Sequence, residues 1–388
     1  MTGDDPRRRD AVPITVALSG LKLTDFRNYA SLSLDLAAPL IALSGPNGAG
    51  KTNCLEAISL FTPGRGLRRA PYEALIRSGA ENGWAVAAIV ERDGDAVRIG
   101  TGLQASPEGL ERGRRIRING ANAGAESLLD YLRVLWLTPA MDGLFTGPAG
   151  DRRRFLDRLV LAVDPGHGRR VTDLEKLLTS RNRLLDKNAE PALLDAIETQ
   201  LAETALAVAI ARAETVGLLT GRIADQAADG AGFPLATLAL AGDFEARYLG
   251  GPARRGEDAY RDALAEARAR DRAAGRTLEG PHRSDLAVVF AEKDMPAALS
   301  STGEQKALLI GLILAHAGLV AQISGMTPIL LLDEIAAHLD ANRRAALFAR
   351  LAQLGCQAFM TGTDAALFAD TGGDRQSFHV QSGEITPD

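Results

Sequence analysis

The sequence holds only two cysteines in 388 residues, Cys54 and Cys356. Two thiols cannot build a disulfide framework, and neither has a partner at metal-ligand spacing. Both sit in apolar patterns, which predicts buried free thiols and a cytoplasmic compartment. Lysine is also scarce: six of the 44 basic residues are Lys, so 38 are Arg. No stretch approaches the ~18 unbroken apolar residues of a spanning helix. The longest, near Leu308 to Ile323, is interrupted by Gly311, His316, Gly318 and Gln322, so no membrane association is expected. Met1 to Asp10 mixes Asp with Arg, and no apolar segment follows. This argues against a signal peptide and predicts a disordered tail over residues 1–13. What is present is globular: 46% hydrophobic and 24% charged residues, with a net charge of −5. The length suits two or three domains, or one domain carrying a large insertion.

Three zones follow the tail. The first, residues 14–148, is rich in short strand patterns. Thr15 to Thr24 and Ser31 to Leu36 alternate, Leu40 to Leu43 and Val134 to Leu137 are short apolar runs, and Asn119-Gly120 is a hairpin turn signal. The second, residues 149–275, reads as helical, with apolar spacing over Arg152 to Val163, Val171 to Leu185, Pro191 to Ala227 and Ala259 to Ala274. Heptads are not sustained, so no long coiled coil is expected. The third, residues 276–388, returns to α/β character. Strands are predicted at Leu286 to Phe290, Ile329 to Leu332 and Gln357 to Met360, and helices over Gly303 to Ile323 and Ala341 to Leu354.

The strongest motif is Gly45-Pro46-Asn47-Gly48-Ala49-Gly50-Lys51-Thr52. It follows an apolar strand pattern and opens a helical one at Asn53, the context of a phosphate-binding loop. Its glycines let the backbone curl so that N–H groups face an anion at a helix N-terminus. Lys51 supplies charge to the β and γ phosphates, and Thr52 a hydroxyl to Mg²⁺. Near the other end, Ile329-Leu330-Leu331-Leu332 runs into Asp333-Glu334. This is a buried strand delivering two carboxylates at its C-terminal edge, where open α/β sheets bind ligands. Asp333 suits the Mg²⁺ shell, and Glu334 suits orienting or activating a water. The separation of 282 residues from Lys51 to Asp333 exceeds that of a compact GTPase. Between them, Ser300-Ser301-Thr302-Gly303-Glu304-Gln305-Lys306 opens an apolar helix. Alone it reads first as a capping box, ahead of an anion site built by Ser301, Gly303 and Gln305.

Together with Ala337-His338-Leu339-Asp340 after the carboxylates, these elements resemble the ABC ATPase superfamily in content and order. Finer features resemble its RecF family. These are Phe26-Arg27-Asn28-Tyr29, Gly64-Arg65-Gly66-Leu67-Arg68, Asp151-Arg152-Arg153-Arg154-Phe155-Leu156-Asp157 and Gly280-Pro281-His282-Arg283-Ser284-Asp285. The resemblance implies an α/β ABC-type head of mixed sheets around the phosphate loop, interrupted by a mainly helical lobe. It implies a weak DNA-stimulated ATPase using ATP and Mg²⁺, in which the signature around Ser301 caps nucleotide held by a second copy. It further implies ATP-driven dimerisation at single-strand/double-strand DNA junctions, and recombinase loading with RecO and RecR. Arg65, Arg68, Arg69, Arg152, Arg153 and Arg154 are candidate DNA contacts, because the guanidinium fork suits phosphate oxygens. An ABC transporter subunit would bring a Q-loop and a switch histidine, and an SMC-type tether would bring long heptads. Where the switch histidine belongs, the chain reads Thr361-Gly362-Thr363-Asp364, which predicts slow hydrolysis.

Overall fold

The computed structural model describes residues 12–106, 109–110, 113–228, 232–369, 371 and 374–388. The tail expected over residues 1–13 lies, as far as residue 11, outside the described residues. In chain order, the N-terminal third contains β1 (Val16–Phe26), β2 (Tyr29–Asp35), β3 (Leu40–Ser44), α1 (Lys51–Ser59), β4 (Gly83–Arg92), β5 (Asp95–Ser106), β6 (Gly109–Leu110), β7 (Arg115–Ile118), β8 (Ala121–Asn122) and β9 (Val134–Leu137). The middle contains α2 (Ala149–Val163), α3 (His167–Asp186), α4 (Pro191–Ala228), β10 (Ala236–Ala241), α5 (Asp243–Tyr248), α6 (Ala253–Glu266), α7 (Arg268–Ala274), β11 (Asp285–Phe290) and β12 (Met295–Pro296). The chain ends with α8 (Thr302–Ser324), β13 (Ile329–Leu332), α9 (Ala341–Leu354), β14 (Ala358–Gly362), β15 (Arg375–Gln381) and β16 (Glu384–Pro387).

Two compact units result. The first is built from Met1–Asp142, Asp225–Pro234 and Thr302–Asp388, the second from Gly143–Ala224 and Leu235–Ser301. The first holds an antiparallel sheet in the order β2-β1-β4-β5-β7-β8, with β6 on β5, and a second sheet in the order β16-β15-β3-β14-β13-β9. In the second sheet β15, β3, β14, β13 and β9 run parallel, and β16 closes the edge antiparallel. Strand alternation decides the packing. Leu21, Leu23, Val86, Ala88, Ile99 and Ile116 point inward from the antiparallel sheet and share one core with Cys54, Leu55 and Ile58 of α1 and Ile329 and Leu331 of β13. β13 is apolar on both faces because neighbours cover both, and all four of its residues are at most 1% exposed.

Helix α8 is apolar all round. By length and composition alone, it and α4 could cross a membrane, but 78% of the apolar window of α8 is buried inside the protein. Both cysteines are buried and free, and burial pushes each thiol up to about 12, so neither is a nucleophile at neutral pH.

The second unit packs α3, α4, α5 and α6 around Leu174, Leu201, Leu206, Phe244, Tyr248, Tyr260 and Leu264. Arg181, fully buried, donates to Glu198 at 2.9 Å, to Asp271 and Thr277 at 2.7 and 2.8 Å, and to the Leu264 carbonyl at 2.8 Å. A buried guanidinium is tolerable only when ion pairs and hydrogen bonds meet it in this way.

The expected inserted segment, 149–275, is too short: the compact unit runs from Gly143 to Ser301, interrupted at Asp225–Pro234. The reason is β11. It pairs antiparallel with β10 in register Ala236↔Phe290 to Ala241↔Asp285, so the predicted Leu286 to Phe290 strand joins the second unit's own sheet. Chain return comes at Thr302, not at 276.

Candidate functional site

Strand register assembles the site. β14 pairs with β3 so that Gly362 faces Ser44, and with β13 so that Met360 faces Leu332. The ends of three parallel strands therefore lie side by side, and each continues into a motif: Gly45, Asp333 and Thr363. This is the carboxyl edge at which open parallel sheets accept ligands.

The phosphate loop is shaped by two glycines that cannot be replaced. Gly45 has φ +144°, and a Cβ there would sit 2.2 Å from the Val380 carbonyl oxygen. Gly50 has φ +122°, and a Cβ there would meet Asn28 Nδ2 at 2.5 Å and the Tyr29 hydroxyl at 2.8 Å. Those two neighbours belong to the Phe26-Arg27-Asn28-Tyr29 motif, which is the tight turn joining β1 to β2. Asn28 Nδ2 donates to the Ala49 carbonyl at 3.0 Å, and Tyr29 donates to the Gly50 carbonyl at 2.9 Å. Arg27, itself at φ +54°, makes a bidentate pair with Glu56 of α1 at 2.8 and 2.9 Å. The hairpin turn is thus a strut under the loop, a role its sequence position did not reveal.

Lys51 is 4% exposed. Its Nζ donates to the Gly45 and Pro46 carbonyls at 2.6 and 2.9 Å, so the ammonium caps its own loop. Burial holds its pKa below the ordinary lysine value, against the opposing pull of Glu334 and Asp333. Thr52 Oγ1 lies 3.0 Å from both Asp333 carboxylate oxygens. Residues 281 positions apart are therefore one hydrogen bond apart. Asp333 is raised above the usual carboxylate range by burial, an effect the hydroxyls of Thr361 and Thr52 reduce and Glu334 reinforces. Glu334 follows with φ +55°, a left-handed conformation uncommon outside glycine.

Asn53 donates to Asn28 Oδ1 at 2.7 Å and accepts from Arg68 at 2.6 Å. Arg68 also reaches Glu56 at 3.1 Å. Gly48 has open space around its Cα, and Ala49 is buried. Ser301 and Gly303 lie exposed at the start of α8, and Gln305 is buried one turn further on.

The arginine candidates divide. Arg65, Arg68 and Arg69 are exposed, and Arg68 also belongs to the network on α1. Arg152 is bound within the second unit: it is bidentate to Asp285 at 2.8 and 2.7 Å and also donates to the Gly147 carbonyl at 2.6 Å. Arg153 donates to the Ser284 carbonyl at 2.8 Å. Arg152 and Arg153, both candidate DNA contacts by sequence, thus anchor α2 to the Gly280–Asp285 segment. Arg154 pairs with Asp151 and stays half exposed. In the same segment, His282 is held below its ordinary pKa by burial and by nearby Arg283, Arg153 and Arg212. It bonds the Thr277 carbonyl at 3.0 Å, a structural position.

The sequence marks Thr361 only as standing where a switch histidine belongs and assigns it no bonding role. Fully buried at the end of β14, it donates to Asp333 Oδ1 at 2.7 Å and accepts the Glu334 N–H at 2.8 Å. Only the register of β13 against β14 could have pointed to it.

A phosphate loop and an apolar-Asp-Glu strand on one parallel sheet, joined to an antiparallel sheet and interrupted by a helical unit, define an ABC-type ATPase head. Comparison with known proteins agrees. The RecF/RecN/SMC N-terminal domain family model matches residues 17–385. The chain is 59% identical over 378 residues to the DNA replication and repair protein RecF of Mesorhizobium japonicum, covering 97% of this chain and 99% of that one. It is 57% identical to the protein of the same name from Brucella suis, over 96% of this chain and 97% of that one. Among solved structures, a RecF–ATPrS complex superimposes with a TM-score of 0.84 at 22% identity, covering 98% of this chain and 99% of that one. The Smc head of Pyrococcus furiosus reaches 0.53 at 17% identity, over 96% of each chain. The chain belongs to the RecF family of DNA replication and repair proteins.

Proposed function

We propose that this protein binds ATP with Mg²⁺, dimerises around the nucleotide, and holds DNA at single-strand/double-strand junctions in the cytoplasm. There it assists recombinase loading with RecO and RecR, and slow hydrolysis releases the dimer. The observation that carries the reading is the meeting of Lys51, Thr52 and Asp333 at one strand edge, with Thr52 and Asp333 3.0 Å apart. This donor set fits a nucleotide with its metal. A hydroxyl beside a carboxylate is the hard-oxygen pair Mg²⁺ takes, and Lys51 stands beside the loop amides that receive phosphate. Thr52 and Asp333 would hold the ion, and Mg²⁺ when bound neutralises phosphate charge. The chain's own groups do the rest. Lys51 exchanges its bonds to the Gly45 and Pro46 carbonyls for phosphate oxygens, the Gly45–Thr52 amides orient the phosphates, and Glu334 accepts the proton of the attacking water.

Repair is supported by the names of relatives 59% and 57% identical, and the RecR and RecO partnership by solved RecF–ATP assigned to the RecFOR pathway. Exposed Ser301 and Gly303 suit capping of a second copy's nucleotide. Exposed Arg65, Arg69 and Arg154 suit sequence-tolerant phosphate contacts. The test is Glu334→Gln, which keeps shape and removes the base. Light scattering with ATP should show a stable dimer that binds gapped DNA and turns over no ATP. Parental hydrolysis by this variant would refute the assignment.

A further inference from the structure

The hydroxyl of Thr361 makes two bonds of opposite sense, donating to Asp333 Oδ1 and accepting from the Glu334 N–H. One proton and free lone pairs allow both at once, and no apolar side chain can make either. We propose that Thr361 is a positioning residue for ATP hydrolysis, fixing the metal-side carboxylate and the backbone of the general base through one oxygen. The proposal rests on the ATPase reading above.

Three observations carry it. The register Leu332↔Met360 sets Asp333 and Thr361 side by side, so the sheet itself dictates the contact. Glu334 sits at φ +55°, which for a non-glycine residue persists only where surroundings hold it. The hydroxyl that accepts its N–H is such a hold. Asp333 Oδ1 is 2.7 Å from Thr361 and 3.0 Å from Thr52, while Oδ2 is 3.0 Å from Thr52. With Oδ1 pinned from the strand side, the carboxylate cannot rotate away from the Thr52 side, where the metal is expected. Thr361 touches neither phosphate nor water in this scheme; it acts through its two neighbours.

The test uses Thr361→Val, which keeps the shape and loses both bonds, and Thr361→Ser, which keeps the hydroxyl and loses a buried methyl. The Val variant should lose about tenfold or more in kcat, with KM for ATP within roughly threefold. By calorimetry it should need several-fold more Mg²⁺ to tighten nucleotide binding, with nucleotide affinity in EDTA unchanged. The Ser variant should stay near the parent in both readouts. Thr361→Ala against Thr361→Ser, which differ by one oxygen, repeats the comparison if the Val variant does not fold. Loss of kcat and Mg²⁺ response that follows melting temperature across the variants, or Val behaving as the parent, overturns the proposal. A parent protein without ATPase activity would instead refute the underlying reading, while the Mg²⁺ titration would still decide on Thr361.

Discussion

Asp333 shows what this site costs at the scale of one residue. Its carboxyl is raised because burial penalises the charge more than the hydroxyls of Thr361 and Thr52 relieve it. A carboxyl whose pKa is higher folded than unfolded binds its proton more tightly in the folded chain. Stability therefore falls as pH rises through that interval. Asp333→Asn should raise the metal-free melting temperature at pH 7 by roughly a few degrees. The gain should shrink toward the unfolded carboxyl pKa of about 3.9, and Mg²⁺-dependent nucleotide binding should be lost. Calorimetry across pH checks this; a variant less stable than the parent at pH 7 contradicts it. Lys51, Thr52, Asp333 and Glu334 were legible in the sequence because each sits in a contiguous motif whose chemistry requires it. Thr361, and the Asn28–Asn53–Arg68 chain beside the loop, were not. Their roles come from hydrogen bonds between segments, and those partners are set by strand register and by the hairpin turn.

At the scale of elements, periodicity located most of what it could. Val134–Leu137, Ile329–Leu332 and Ala341–Leu354 lie where their patterns put them, and Asn119 and Gly120, both at positive φ, form the turn between β7 and β8. It does not reach β10, where Ala236–Ala241 alternates only weakly in apolar size, and without that partner strand the pattern at Leu286–Phe290 points to the wrong unit. The Ala259 to Ala274 pattern hid a break, since α6 ends at Glu266 and α7 begins at Arg268. Arginine clusters were the least legible, because composition cannot distinguish a guanidinium facing solvent from one tying two elements together. Arg152 ties α2 to β11. Arg152→Ala should therefore destabilise the protein by about 1–3 kcal/mol, leaving Asp285 half-buried without its ion pair. Arg154→Ala should leave stability nearly unchanged and weaken DNA binding, with a smaller salt slope. Denaturant titration beside DNA binding at two salt concentrations separates them. Arg152→Ala with parental stability would contradict the anchoring role.

At the scale of the whole molecule, the proposed hydrolysis requires two copies. The phosphate loop and carboxylates belong to one chain, while the exposed Ser301–Gly303 opening of α8 is assigned to the nucleotide of another. Neither Lys51→Ala, which loses charge-assisted phosphate bonds of roughly 1.5–3 kcal/mol each, nor Ser301→Arg, which blocks the capping face, should hydrolyse ATP alone. The most direct measurement is ATPase activity on mixing these two variants. A mixed dimer has one composite site carrying both lesions and one carrying neither. Activity should therefore reappear and should follow the fraction of mixed dimer. Parental hydrolysis by Ser301→Arg alone, or no recovery in a mixture shown by light scattering to contain mixed dimer, would contradict the account.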